Sequence, residues 1–531
     1  MTEEVTEIRR AVHRVVRHGV AGLAGAGTGA AAQFLLVVVV TRAFDAATAG
    51  RFFALTTGCL LLAGIARLDA GNGLLYFLAR ATDTRKGEIW SYVIAAAVPV
   101  TLISVAVSLI TMLGGDALLG ATNWDNQSAN GIIHHETDSG ISPPPGRTGT
   151  GEGVGAALRV LAAAFPAIVL AEVAVAATRG LGSMRPTVLL GGVAQPAGQL
   201  ALVAAVAAWW HAGGAPPDGP VLPWLAAAWA LPYLPVLAAA AVWLGRRAPW
   251  EPYRLGTARA FWRHAAPRSL GSAVQHVFQR LDVVIVAALA GPVEAAVYTA
   301  ATRVKVLGQL AGQGLAQAAQ PTLVRALATG DLAVARAVYR RTTNVLVLLT
   351  WPAWLGYAAF APVLLGVFGD GYAAGADVAV VLAATMMFAA ACGMADVALV
   401  AAGRTAASLA GILAATTVTV AVDLALVPAW GAFGAALGWS AGVVVKNALP
   451  LAQIWRGYGL RPFGANLAAG QSRSMPQLWS RWARIALRAA SAGPRAIASR
   501  SSRCSATSTS RSSYTRRSRT SPSRVSAASE E

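Results

Sequence analysis

Long apolar segments alternate with short polar connections along most of the chain. A membrane-spanning helix needs about 20 consecutive, mostly apolar residues, and twelve segments meet this requirement. The pattern therefore predicts an all-α polytopic membrane protein with about twelve transmembrane helices. They lie at about 20–41, 49–78, 91–113, 154–178, 187–209, 222–244, 266–290, 293–322, 343–367, 376–402, 405–427 and 432–455.

Composition supports a membrane protein and excludes several other classes. Apolar residues other than Gly make up 56% of the 531 residues, and 13% are charged, whereas soluble domains contain about 25% charged residues. A water-soluble protein of this size would have too little polar surface to cover its outside. The three Cys residues show neither metal-ligand spacing nor a disulfide framework. Collagens, disordered chains and disulfide scaffolds are excluded, and we expect no metal site.

The formal charge of +19 has two origins. The segment 456–531 holds 14 Arg and two acidic residues and so carries +12, which leaves +7 for the rest of the chain. This tail is rich in Ser, Arg, Ala and Thr and poor in large apolar residues, so we expect it to be disordered. Three interpretations of it stay open: a polybasic segment on an anionic inner leaflet, a solvated tail without a specific role, and an unselected or frameshifted C-terminus. We expect no nucleic-acid binding.

Basic residues in the connecting loops fall mostly on one side of the predicted membrane. The N-terminus and the alternate connections together carry 20 basic residues. The opposite connections carry only Arg42, Arg51 and Arg147. Cytoplasmic loops carry the excess of Lys and Arg in membrane proteins. Both termini are therefore predicted to be cytoplasmic.

The two halves of the chain resemble each other. A shift of 246 residues places Gln33 on Gln279, and a shift of 224 places Glu172 on Asp396. Six predicted helices separate the copies, so the repeats have the same orientation, which is a recurring plan in transporters. The sequence thus predicts two parallel-related six-helix lobes. The predicted segments are a cytoplasmic N-terminal segment 1–19, an N-terminal lobe 20–244 with an outer loop insertion 121–153, a basic cytoplasmic linker 245–265, a C-terminal lobe 266–455 and the tail 456–531.

Polar side chains within the predicted spans are the candidate functional residues. A charged group at membrane depth costs roughly 2.5–3.5 kcal/mol on insertion scales, so it generally faces a cavity or a partner. Spacings of three and four residues place several glutamines of spans seven and eight on one helix face. We expect these glutamines to line a hydrated cleft between the lobes. They are Gln275, Gln279, Gln309, Gln313 and Gln317.

Acidic residues in the spans suit coupling of transport to an ion gradient. Glu172, Asp396 and Asp423 lie in otherwise apolar spans, and Asp282 lies beside the glutamines of span seven. The alternative is that charged groups satisfy each other at helix interfaces, as Arg67 would with Asp69 or Arg280 with Asp282.

Two stretches resemble bacterial polysaccharide flippases of the MATE-like multidrug, oligosaccharidyl-lipid and polysaccharide exporter superfamily. Residues 24–55 combine a Gly-rich first span with an Arg, a short acidic turn and a Gly-aromatic entry to span two. Residues 261–304 contain the Pro, the Arg-Leu-Asp and the Gly-Pro…Tyr…Ala-Ala pattern that open the second half of those proteins. The resemblance extends over spans one to twelve, about residues 15–460.

The resemblance implies a multi-pass protein of the inner (plasma) membrane with two lobes that alternate access to a central cavity. Many members of this superfamily move polyprenyl-diphosphate-linked oligosaccharides to the outer membrane face, and a proton or sodium gradient is the implied energy source. Cavity cations would bind the diphosphate, and glycosyltransferases and the polymerase of the same pathway would be partners. The candidate cations are Arg42, Arg67, Arg280, Arg303 and Lys305.

Two other functions remain open at this stage. One is a cation-coupled exporter of drugs or other amphipathic molecules, whose site would depend on acids and aromatics more than on cations. The other is a non-transporting membrane scaffold of a glycan-assembly complex. The chain has no Walker loop and no constellation typical of catalysis, so we expect no enzymatic activity.

The interpretation of the tail yields a test. We expect a chain that ends at Gly464 to insert, fold and transport as the full-length chain does, because the tail lacks the apolar residues that a core requires. Membrane fractionation and size-exclusion chromatography of the two proteins check this. Loss of membrane insertion in the shortened chain would refute it.

Overall fold

The computed structural model describes residues 25, 27–84, 88–122, 150–214, 219–248 and 252–463, and these are helical almost throughout. The described part contains no β-strand. The predicted N-terminal segment 1–19, most of the outer loop 121–153 and nearly all of the tail lie outside the described residues.

The first half of the chain forms eight α-helices and one π-helix among the described residues. They are α1 (Gly27–Ala43), α2 (Ala46–Ala66), α3 (Ala70–Thr84), α4 (Ile89–Thr122), α5 (Thr150–Gly180), the π-helix Thr187–Ala194, α6 (Gln195–His211), α7 (Leu222–Ala230) and α8 (Tyr233–Arg247). Asp45 caps α2, since its carboxylate accepts a hydrogen bond from the Thr48 amide at 3.0 Å.

The second half repeats this organisation. Its helices are α9 (Leu255–Leu289), α10 (Pro292–Thr302), α11 (Lys305–Ala328), α12 (Leu332–Ala359), α13 (Ala361–Gly366), the 3₁₀ turn Asp370–Gly375, α14 (Ala376–Cys392), α15 (Ala395–Ala401) and α16 (Thr405–Tyr458). Helix α9 begins at Leu255, within the predicted linker 245–265. Residues 255–265 continue the helix because Phe261 and Ala265 are fully buried there.

Helix α16 contains two antiparallel segments rather than one rod. A straight helix of its 54 residues would be about 80 Å long, far more than the bilayer core of about 30 Å. The backbone of Gly431 leaves the helical region, with φ 51° and ψ −131°. Beyond this point the chain folds back, so that Gly434 packs against Leu426 and Gly442 against Thr419. Glycine permits this close antiparallel approach of the two segments.

Eight helical segments of the described residues are long and apolar enough to cross a membrane, by length and composition. This agrees with the predicted all-α polytopic fold. Because α16 counts as one of the eight, its two antiparallel segments account for two of the predicted spans. That twelve helices cross the bilayer and that both termini are cytoplasmic remain predictions.

The internal repeat is visible in the helix boundaries. Helices α1 and α9 end at Ala43 and Leu289, and α2 and α10 begin at Ala46 and Pro292. Both pairs of positions are 246 residues apart, which is the offset that the sequence predicts. The equivalent helices α2 and α10 also pack against each other. A small residue allows this, because a Cβ atom at Gly50 would overlap the carbonyl oxygen of Pro292.

Helix α2 stops at a turn that the second half stabilises. Leu68 and Asp69 are non-glycine residues with φ of 48° and 54°, a left-handed conformation that costs about 1–2 kcal/mol per residue. The Ser269 hydroxyl donates a hydrogen bond to the Leu68 carbonyl at 2.7 Å, and Arg268 Nε donates to Asp69 Oδ2 at 3.0 Å. These contacts join the two halves of the chain at the α2–α3 break.

The close approach of α2 and α10 gives a testable prediction. Gly50→Ala should lower the thermal midpoint of the detergent-solubilised protein, because the added methyl group must displace the Pro292 backbone, and overpacking typically costs about 1–3 kcal/mol. Gly356→Ala is the matched control in helix α12, where a Cβ atom would meet nothing within 4 Å. It should leave the midpoint unchanged or raise it, since Ala is the better helix former. Equal midpoints for the two variants would contradict the close approach.

Candidate substrate cavity

A cavity of about 800 Å³ lies within the described residues and is formed mainly by the first half of the chain. Its volume is within the range of small-molecule sites. Among the described residues, the second half contributes Arg280 and Arg303 to its wall. The polar and aromatic lining from the first half comprises Gln33, Phe34, Phe52, Phe53, Thr56, Thr57, Glu172, Gln195, Gln199, Trp229 and Tyr233.

Glycines open the cavity wall between α1 and the π-helix. Gly29 and Gly192 face each other so closely that a Cβ atom on Gly29 would lie 2.9 Å from the Gly192 carbonyl oxygen. Both residues line the cavity. The absence of side chains here exposes backbone to the cavity and lets the two helices approach.

Two glutamines form a hydrogen-bonded chain on the first-half wall. Gln33 Nε2 donates to Gln199 Oε1 at 2.8 Å, and Gln199 Nε2 donates to the Trp229 carbonyl at 3.0 Å. Gln199 is only 1% exposed, so its amide is held almost entirely by these partners. Gln33 is partly exposed and faces the cavity.

Arg280 and Arg303 bring unpaired positive charge to the cavity. Arg280 lies on α9, and Arg303 lies at the break between α10 and α11. The Nε atom of each is buried without a hydrogen-bond partner, and neither forms an ion pair with a described residue. A buried guanidinium group in this state is unfavourable unless an acceptor arrives. The arrangement suits an anionic ligand.

Arg67 is already paired at the edge of the cavity. Its guanidinium forms an ion pair with Glu172 and a 2.9 Å contact with His276 Nε2. Arg67 and Glu172 belong to the first half and His276 to the second, so the cluster joins the halves. Glu172 lines the cavity, whereas Arg67 does not. The sequence-based alternative that paired Arg67 with Asp69 is not realised, since Asp69 binds Arg268.

A second group of charges is buried in the second half, away from the cavity lining. Lys305 Nζ lies 3.6 Å from Asp282 Oδ2 and 4.5 Å from the centre of the Trp439 ring. Asp282 also accepts hydrogen bonds from the Tyr298 hydroxyl and from the Val283 amide. Lys305 is therefore held by a carboxylate and an aromatic ring, and it does not line the cavity.

Asp423 is the least satisfied carboxylate of the described residues. Its side chain is fully buried, and neither oxygen has a hydrogen-bond partner. It lies against Gly438, on the antiparallel segment of α16. A carboxyl group in such a place is stable only if it holds a proton or a cation.

Of the other predicted site residues, those whose side chains are described lie outside the cavity lining. Arg42 is exposed and donates to the carbonyl groups of Gly366 and Val367 at 2.7 and 2.8 Å. Asp396 accepts a hydrogen bond from the Ser408 hydroxyl at 2.5 Å. The remaining members are Gln275, which is half-buried, Gln279 and Gln309, which are exposed, and Gln313 and Gln317, whose side chains lie outside the described part of the structure.

Comparisons with known proteins agree with this architecture. Residues 224–375, which include both cavity arginines, match the family model described as polysaccharide biosynthesis protein. An inward-facing multidrug resistance MATE transporter of the MOP superfamily superposes with a TM-score of 0.63 at 16% identity, over 83% of this chain and 98% of that one. The lipid II flippase MurJ, in an inward closed conformation, gives 0.61 at 10% identity, over 83% and 87%.

The protein has the MATE-like transporter fold. This confirms the resemblance that the sequence indicates and makes the protein a multi-pass membrane protein. A MOP superfamily transporter from Pyrococcus furiosus, described by a reversed polarity of its binding pocket, also superposes, with a TM-score of 0.52 at 16% identity over 84% of this chain and 95% of that one. No curated protein sequence matches the chain.

Within this MATE-like fold, sequence reasoning found part of the cavity and missed the rest. Arg280, Arg303 and Glu172 are predicted site residues that the structure brings to one cavity. Gln33, Gln195 and Gln199 were missed as site residues. Each of them is a polar residue in an otherwise apolar span, which was the available signal. The regular spacing of three and four residues indicated the glutamines of spans seven and eight instead.

Accessibility of the cavity can be tested by cysteine labelling. In a background without native cysteines, Gln195→Cys should react with a hydrophilic maleimide in detergent, because the residue lines the cavity. Val203→Cys on the same helix α6 should stay unreactive until the protein is denatured, since Val203 is fully buried. Equal reactivity of both thiols would mean that the cavity is closed to solvent or that α6 is not packed as described.

Proposed function

We propose that the protein is a flippase that moves a polyprenyl-diphosphate-linked oligosaccharide across the inner membrane by alternating access. The single observation that carries this proposal is the pair of cations, Arg280 and Arg303, in the cavity without an acceptor. Two guanidinium groups supply the geometry and charge that phosphate oxygens bind best.

The comparisons support the same substrate class. The family whose model matches residues 224–375 is described by polysaccharide biosynthesis, and a structural relative is named as a lipid II flippase. In the proposed complex the diphosphate binds the arginines, the sugars occupy the cavity, and the polyprenyl chain stays in the lipid. Glycosyltransferases and a polymerase of the same pathway are the proposed partners, and no chemical step is assigned to the chain.

Transport requires contacts between the halves to break and re-form. Arg268–Asp69 and the Arg67–Glu172–His276 cluster join the halves in the present conformation. A ligand shifts such an equilibrium only by its different affinities for the two conformations. An ion gradient is the proposed energy source. Asp423 is the best candidate for the coupling carboxyl group, since it is buried without a partner, ahead of Asp282, Glu172 and Asp396, which are already bound.

A drug exporter is the second candidate, and one feature of the cavity favours it. Glu172 lies in a lining that also includes Phe52, Phe53, Trp229 and Tyr233, and aromatic rings beside an acid suit amphipathic cations. Arg67 already neutralises Glu172, however, and the two unpaired arginines would repel a cationic drug. The flippase proposal therefore explains more of the cavity's charged residues than the exporter proposal does.

Neutralising the cavity arginines tests the proposal. Arg280→Gln and Arg303→Gln should each slow translocation of a fluorescent undecaprenyl-diphosphate-linked disaccharide in proteoliposomes by about tenfold or more, because a hydrogen bond to a charged group contributes about 1.5–3 kcal/mol. The measurement is the fraction of probe that becomes accessible to a membrane-impermeant quencher over time.

Arg341→Gln is the matched control, because Arg341 is an exposed arginine of α12 outside the cavity lining. Its rate should equal that of the unchanged protein. Unchanged rates in both cavity variants, combined with loss of drug efflux in Glu172→Gln, would replace the flippase by the exporter. If no cavity variant altered any transport, the scaffold interpretation would be favoured.

A further inference from the structure

We propose that Gln33 determines the glycan specificity of the cavity by accepting hydrogen bonds from sugar hydroxyl groups, and that Gln199 is its positioning residue. This inference rests on the proposed function, and it names the residue that would recognise the part of the substrate beyond the diphosphate. It differs from the expectation that the glutamines of spans seven and eight meet the sugars.

The orientation of the Gln33 amide follows from its hydrogen-bond chain. The chain ends on the backbone carbonyl of Trp229, which can only accept a hydrogen bond. The Gln199 atom that faces this carbonyl must therefore be nitrogen, so Gln199 presents its oxygen to Gln33. Gln33 must in turn donate to that oxygen, at 2.8 Å. In many amide side chains the oxygen and the nitrogen cannot be told apart from their positions alone. Here the carbonyl group of Trp229, 30 residues from Gln199 in the sequence, determines which atom is which.

The consequence is that Gln33 offers its own carbonyl oxygen to the cavity. One N–H of Gln33 is used by Gln199, while Oε1 and the second N–H remain. Oε1 forms no hydrogen bond with a described residue, and Gln33 lines the cavity. An amide oxygen with two lone pairs requires donors, and hydroxyl groups of a sugar supply them. Phosphate oxygens at neutral pH are acceptors only, so they cannot satisfy Oε1 and are matched instead by the arginines.

Gln199 lines the cavity, but its amide is already engaged by protein partners. It is 1% exposed, and its amide is bonded at both ends by Gln33 and Trp229. Its contribution is to hold the rotamer of Gln33, which otherwise has three rotatable side-chain bonds. Preorganisation of this kind raises affinity by lowering the entropy lost on binding.

The cavity thus combines two recognition chemistries from the two halves of the chain. The first half presents an acceptor fixed on α1, and the second half presents Arg280 and Arg303. A ligand that carries hydroxyl donors next to a diphosphate satisfies both, whereas inorganic diphosphate or a bare polyprenyl diphosphate satisfies only the arginines. Selectivity between such ligands is the property that Gln33 should control.

Binding of two probes to the purified full-length chain tests this inference. The probes are undecaprenyl diphosphate that carries a disaccharide and undecaprenyl diphosphate without sugar, titrated calorimetrically in detergent. For Gln33→Met, which keeps the side-chain length but not the amide, the Kd of the glycosylated probe should rise about tenfold, as expected for loss of about one or two hydrogen bonds. The Kd of the sugar-free probe should change by less than about twofold.

Gln199→Met should give the same selective loss, although the amide of Gln199 is buried and already bonded to Gln33 and Trp229. A purely structural defect would weaken binding of both probes alike, so the ratio of the two Kd values separates positioning from misfolding. Gln33→Leu also lacks the amide and is the second variant, in case Gln33→Met fails to fold. It should show the same selective weakening of the glycosylated probe, because it removes both the acceptor oxygen and the hydrogen bond to Gln199.

Asn344→Met is the matched control, because Asn344 is an exposed amide on α12 outside the cavity lining. It should leave both Kd values unchanged. Equal weakening of both probes in Gln33→Met, or no weakening of either, would overturn the assignment of Gln33. If the unchanged protein bound neither probe and Arg280→Gln had no effect on transport, the flippase proposal itself would have failed.

Discussion

A charged group inside a membrane must find a partner within the protein, and this constraint organises the fold. No water is available in the hydrocarbon core to replace a missing contact. The chain meets the requirement at Arg67 with Glu172, at Arg268 with Asp69 and at Lys305 with Asp282. The Arg268–Asp69 pair lies across the junction of the halves, and Arg67 also contacts His276 of the second half. These contacts therefore satisfy charge and hold one conformation together. Arg280 and Arg303, which line the cavity, form no ion pair with a described residue.

The repeat explains how residues of the second half reach a cavity built by the first. Helices α2 and α10 are equivalent by the repeat, and they pack against each other through Gly50. Arg303 follows the end of α10 directly. A small residue at this contact brings the α10–α11 break close enough to α2 for Arg303 to enter the first-half cavity. A bulkier residue at position 50 would separate the helices and withdraw that charge.

Much of the architecture could be predicted from sequence, because it depends on local properties. Hydropathy indicates the spans, and the 246-residue offset recurs in the observed ends of α1 and α9.

The site was harder to predict, since periodicity identifies a helix face but not the neighbour that covers it. Lys305 shares a helix with the predicted glutamines, yet it binds Asp282 and Trp439. Gln33 stands alone in a Gly-rich span, and its partner Gln199 is 166 residues away. The break at Leu68 and Asp69 depends on Ser269 and Arg268, which no local pattern reveals.

The division of the cavity between the halves also bears on how binding and motion are linked. The fixed amide of Gln33 belongs to α1, and the unpaired guanidinium groups belong to α9 and to the α10–α11 break. A ligand that engages both sets bridges the halves, so its affinity depends on their relative position. Any movement that separates α1 from Arg280 and Arg303 must weaken one set of contacts before the other. That difference in affinity between conformations is the condition under which a bound molecule can bias the movement of a transporter. A ligand that satisfies only the arginines would not bridge the two sets of contacts, so under the proposed function the hydroxyl-bearing part of the ligand would contribute to this bias as well as to recognition.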